Sequence, residues 1–177
     1  MGSDKLARDH DAEIPVTPVL PPRARALIDT LGLQPHPEGG YFREVHRADA
    51  QVQCADGQAR AAMTTIFFLL PAGAVSRWHR VSSDEVWHYY EGAPLELAVL
   101  PAHASAVARM TLGLVATGTL PLRVVPAQAW QAARSLGEYT LVGCSVGPGF
   151  TFADFVLLDA LPGAQWPAAL AADRAGF

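Results

Sequence analysis

The chain is 177 residues long, half of them hydrophobic, with a formal net charge of −4. That length suits one domain with tails, the composition is globular, and the acidic balance without any Lys/Arg run argues against a nucleic-acid partner. No apolar stretch reaches membrane-spanning length, and the opening MGSDKLARDH lacks the apolar core of a secretory signal, so a cytoplasmic protein with no membrane partner is expected.

Residues 1–22 are polar and then proline-rich and read as a flexible arm. Ala24, Leu27, Ile28 and Leu31 recur at helical spacing, and Gly32 follows as a C-cap, so a short helix is predicted over 23–31. After the Gly39-Gly40 turn a strand is predicted over 41–47. Asp56-Gly57 signals a hairpin. The apolar run 63–70 reads as a central strand. Further strands are expected at 75–81, 85–90, 95–100, 106–112, 122–125, 139–146 and 150–158, with a C-terminal tail over 161–177. Fifteen glycines and 14 prolines punctuate these short strands, the pattern of a β-sandwich or barrel. Cys54 and Cys144 are far apart, so no disulfide framework is expected. Cys144 reads as a small buried hydrophobe.

The most informative segment is Gly73-Ala-Val-Ser-Arg-Trp-His79-Arg-Val81-Ser-Ser-Asp-Glu85, continuing to Gly92. Its spacing resembles the first motif of the cupins, G-x5-H-x-H-x3-E-x6-G, with Val81 where the second histidine belongs. HPEGGYFREVHR (36–47), SRWHRVSSDEVWHYYEG (76–92), VVPAQAW (124–130) and LVGCSVGPGFTFADF (141–155) are similar to one cupin family of unknown function. The resemblance implies an all-β, double-stranded β-helix (jelly roll) over 23–160 with a short N-terminal helix, usually dimeric, so a homodimer is expected. It supplies no reaction.

Cupin metal sites use both histidines and the glutamate of the first motif and a histidine of the second, P-x-G-x-x-H. Here the second motif reads Pro126-Ala-Gln128-Ala-Trp130-Gln131. His79 and Glu85 remain, whereas valine is no donor and glutamine a weak one, so no metal or other cofactor is expected.

Strict alternation along 75–81 turns Arg77 and His79 to one face, and Glu85, Trp87 and Tyr89 form the matching set on the next strand. His79, Glu85 and Tyr89 are the candidate catalytic residues, since a His–Glu pair suits acid–base work. Arg77 is a candidate clamp for an anionic group. Trp87, Tyr41, Glu38 and Gln131 are further candidate ligand contacts. His36 shares the Gly39-Gly40 loop, His88 lies on the opposite strand face from Glu85, and Asp154 is either a pocket carboxylate or an edge position. The expected function is binding of a small polar ligand, carbohydrate-like or anionic, with an epimerase- or isomerase-like acid–base reaction. A non-catalytic binding module lined by Phe67, Trp78, Trp87 and Tyr89 is one alternative. A metal-dependent oxygenase using Gln131 is the other.

Overall fold

A computed structural model describes residues 20–172. Most of the expected arm at 1–22 therefore lies outside the described residues. Helix α1 (Pro22–Leu31) leads into strands β1 (Gln34–Pro35), β2 (Tyr41–Arg47), β3 (Gln51–Gln53), β4 (Ala59–Ala61), β5 (Thr64–Pro71), β6 (Val75–Arg80) and β7 (Asp84–Gly92). Then come β8 (Leu95–Leu100), β9 (Ala108–Leu112), β10 (Thr119–Leu120), β11 (Leu122–Val125), β12 (Trp130–Ser135), β13 (Tyr139–Gly147), β14 (Val156–Leu157) and a terminal helix, α2 (Ala168–Ala172). No helix among the described residues is long and apolar enough to cross a membrane.

Two six-stranded sheets face each other, in the orders β1-β2-β5-β13-β7-β11 and β10-β9-β8-β12-β6-β14, with β3-β4 as a separate ribbon. This is the all-β double-stranded β-helix that the motifs imply. The alternation of β5 explains the layering. Phe68 and Leu70 point between the sheets with Trp87, Leu97, Val99 and Val142, whereas Leu69 points outward against Leu27 of α1. Helix α1 ends as its sequence requires, with Gly32 in the left-handed region at φ 62°. The outer face of the second sheet is covered by the C-terminal segment, where Leu158 and Leu170 bury Trp78, Leu100 and Trp130.

The structure adds one strand to those expected and breaks another. A strand at Trp130–Ser135 pairs with both β6 and β8; its run of alanines and a buried glutamine carries little β signal. The segment 150–158 is not one strand. It makes a 3-10 turn at Phe152–Asp154 and only two residues of β14. Arg60 causes the break by drawing Asp154 into a two-contact ion pair at 2.7 Å while also holding Asp56 of the β3–β4 hairpin. Asp154 is therefore a structural anchor outside the cavity wall, at a turn rather than in a pocket.

Candidate functional site

The site lies at one end of the space between the sheets and is built first by a bulge. Gln131 pairs with His79, but Ala133, two residues on, pairs with Ser76, three residues back. One extra residue in β6 shifts the side-chain phase, as β-bulges do. Ser76 and His79 thus share the inner face. Arg77 is turned out, and Trp78 packs in the outer cluster with Leu100 and Trp130.

That phase shift overturns the expectation for Arg77. Its side chain is 47% exposed, pairs with Asp159 and donates to the Pro37 carbonyl. It holds the 36–40 loop from outside rather than clamping a ligand. Trp78 is outside the pocket because it alternates with the inward His79. Phe67 faces outward on β5, against Tyr90.

The loop that Arg77 holds delivers Glu38 to His79. Gly39 has φ 114°, and a Cβ there would stand 2.2 Å from the Val75 carbonyl oxygen, so the loop sits against β6 only because residue 39 has no side chain. Gly39→Ala is expected to cost roughly 3 kcal/mol in urea unfolding, through strain and forced loop movement. A loss below a few tenths of a kcal/mol would show that the loop is not seated this way.

Glu38 is buried. Its Oε1 accepts from the Ser76 hydroxyl at 2.7 Å, and its Oε2 lies 3.3 Å from His79 Nε2 and 3.5 Å from His36 Nδ1. His79 Nδ1 stands 2.7 Å from the Arg77 carbonyl, which can only accept, so Nδ1 carries the ring hydrogen and Nε2 presents a lone pair in the neutral ring. His36 Nδ1 accepts from the Glu38 backbone N–H at 3.3 Å, so it too turns a lone pair towards Glu38. Two imidazole nitrogens flank one carboxyl oxygen, and the His79 Nε2 lone pair that faces it is reconciled by a proton on Glu38. Burial agrees. It pushes the Glu38 carboxyl up to about 7 and both imidazoles down, favouring the neutral forms of all three.

Glu85 is held differently. Trp87 Nε1 donates to Gln131 Oε1 at 3.0 Å, and Gln131 Nε2 donates to Glu85 Oε2 at 2.5 Å. Burial drives the Glu85 carboxyl up, partly offset by His79. The neighbouring Cys144 thiol is also pushed well up by burial and by the nearby carboxyls, so it stays a thiol rather than a nucleophilic thiolate.

His36, Glu38, His79, Val81, Glu85 and Cys144 share one cavity of about 100 Å³. Phe42, Phe68, Phe150, Phe152 and Phe155 form much of its wall. Phe155 lies 5.4 Å from the His79 ring, centroid to centroid. Of the expected site residues, His79, Glu85 and Glu38 meet here. Gln131, fully buried, and Trp87 stand behind Glu85 as its support and are not on the cavity wall. Tyr89 does not reach the site, because its hydroxyl donates to the Gly92 carbonyl at 2.5 Å. Tyr41 packs outside with the α1 cluster, since the parity of β2 turns Phe42 inward instead. His88 lies on the other face of β7 from Glu85, as its parity predicts. Sequence reasoning missed Cys144 and the aromatic flap at 150–155. Cys144 does share strand parity with Val142 and Val146, and that was the available signal.

The residues do not make a cupin metal site. Val81 offers no donor, the Gln131 oxygen is committed to Trp87, and the Gln131 amide N–H points at the Glu85 carboxylate where a cation would have to bind. Among the described residues no group of three His, Cys, Asp or Glu side chains could hold a metal ion.

A sequence model described as Cupin superfamily (DUF985) matches residues 25–158. No functionally curated protein matches the chain. Among solved structures, a hypothetical protein from Leishmania major is 36% identical with a TM-score of 0.71, covering 75% of this chain and 85% of its own. A protein from Shewanella oneidensis is 33% identical with a TM-score of 0.70, covering 76% and 84%. The oxalate decarboxylase of Bacillus subtilis shares the fold at 17% identity and a TM-score of 0.53, covering 80% of this chain and 34% of that one.

Proposed function

The chain belongs to the cupin superfamily, in the family DUF985, and from that premise we propose that it is a metal-independent acid–base catalyst of the isomerase type, acting on a small molecule in the cavity between the sheets. The observation that carries this is the convergence of His79 Nε2 and His36 Nδ1 on one oxygen of the buried Glu38. A neutral imidazole beside a carboxyl that holds its proton near neutral pH is a matched pair for moving protons. Glu38 passes its proton to His79 Nε2 and the freed carboxylate takes a proton from a carbon next to a carbonyl, Glu85 in its protonated form donates a hydrogen bond to the developing oxyanion, and return of the proton from Glu38 to the same or the neighbouring carbon, with His79 giving its proton back to Glu38, completes the isomerisation. Glu38 joins Glu85 as a partner of His79, in direct contact at 3.3 Å, while Glu85 acts on the same ring through its charge. Gln131 and Trp87 act through Glu85 as positioning residues.

The test is exchange of the carbon-bound α-protons of 2-butanone in D2O, followed by proton NMR. The wild-type protein is expected to accelerate exchange, and His79→Ala and Glu38→Gln each to reduce the acceleration by roughly 10²-fold. Equal rates for wild type and both variants would remove the catalytic reading. Binding of the ketone without exchange would identify a binding module.

A further inference from the structure

Resting on the acid–base reading of this cavity, the geometry points to a substrate class narrower than the sequence allows: an uncharged, compact carbonyl compound of at most about six non-hydrogen atoms. Size sets the first limit. The cavity is about 100 Å³, against roughly 150 Å³ for an engineered protein cavity that takes benzene. A sugar nucleotide or a pyranose does not fit within it.

Charge sets the second limit. Two buried carboxyls, Glu38 and Glu85, face the space, and among the described residues no unengaged cationic head answers them. Arg47 is the guanidinium on the wall, and it is spent at the mouth. Its Nε and Nη2 donate to both oxygens of Glu44 at 3.0 and 2.7 Å, and Nη1 and Nη2 to the Phe150 carbonyl at 3.2 Å. Arg77 and Arg60 are engaged outside the wall with Asp159 and with the Asp56–Asp154 pair. An anion would therefore enter a water-poor space with no free cation among the described residues to meet it, and it would oppose ionisation of either carboxyl. An ammonium would shed its hydration to meet carboxyls already engaged, Glu38 by Ser76 and Glu85 by Gln131.

The wall sets the third limit. Five phenylalanines, an isoleucine and two valines line the space, and such a surface favours a hydrocarbon body with one polar atom. That atom is placed by the buried polar cluster of His79 with the two carboxyls. Phe152, 57% exposed at the mouth, marks the way in.

Three probes of equal size and different charge test the class: 3-methyl-2-butanone, isobutyrate and 3-methyl-2-butylammonium. Binding to the full-length protein is read at pH 7.5 by saturation-transfer NMR and by the rise in melting temperature. The ketone is expected to bind at least about tenfold more tightly than either ion, and Val81→Phe, which fills the cavity, to abolish it. Preference for isobutyrate or for the ammonium overturns the assignment, as does no detectable ketone binding at about 50 mM. Ketone binding without α-proton exchange sinks the catalytic reading while upholding the ligand class.

Discussion

Glu38→Gln is expected to make the protein more stable at pH 8 and to leave its stability at pH 4 nearly unchanged. The carboxyl of Glu38 is pushed up to about 7 by burial, from an ordinary value of 4.5. Between those two pH values the folded state keeps a proton that the unfolded chain releases. Stability from this group is therefore fully present below about 4.5 and is lost as pH rises through 7. The span corresponds to about 3 kcal/mol. Glutamine imitates the protonated acid: its amide can donate towards His79 or His36, its oxygen can accept from Ser76, and it has nothing to ionise. Glu85, raised by burial, adds a further loss with rising pH in the wild type. His36 and His79 act oppositely. Burial lowers both, so their contribution falls away as pH drops below 6.5. The comparison that isolates Glu38 is the difference between wild type and variant in urea midpoint at pH 4 and at pH 8. An equal difference at both values would mean that Glu38 titrates in the folded protein as it does in the unfolded chain, and the shared-proton arrangement would go with it.

The fold was legible because its signals are local and repeated. The apolar run of β5, the Asp56-Gly57 hairpin and the Gly32 cap each specify their own backbone. The inward set Glu85–Trp87 was legible from alternation alone. What alternation could not carry was the phase of β6, because one residue of bulge between Ser76 and His79 exchanges the faces of Arg77 and its neighbours. That single slip converted a guanidinium assigned to an anionic ligand into an outer brace for the 36–40 loop, and with it the expected charge of the ligand changed. The pairing of Glu38 with His79 was hidden for a different reason. The two are 41 positions apart, and only the close approach of Gly39 to Val75 brings them together. Tyr89 failed through distance along the strand: it points inward, but two residues beyond Trp87 it is already past the cavity and meets Gly92.

The same geometry states what separates this site from a metal centre, and it can be reversed. Gln131 lies directly across from His79 in the β12–β6 pairing, and Val81 is on the cavity wall. Val81→His with Gln131→His would place three imidazoles and the Glu85 carboxylate around one point, a donor set suited to Zn2+. The double variant is expected to bind Zn2+ with a Kd below about 1 µM, where the wild type binds weaker than about 1 mM. Stability should report the same change. Removing Gln131 takes the acceptor from the Trp87 indole and the donor from Glu85, so the metal-free variant should unfold at lower urea than wild type. Zn2+ should then restore it, because an ion bound only by the folded state stabilises that state, and should leave the wild type unmoved. Val81→His alone keeps the Gln131 clamp and supplies a third donor, so it should bind with intermediate affinity and serves if the double variant does not fold. Stoichiometric Zn2+ on the wild-type protein at micromolar metal would overturn the metal-independent reading. Failure of both variants to bind would show that His79 and Glu85 do not converge as the inner faces of β6 and β7 place them.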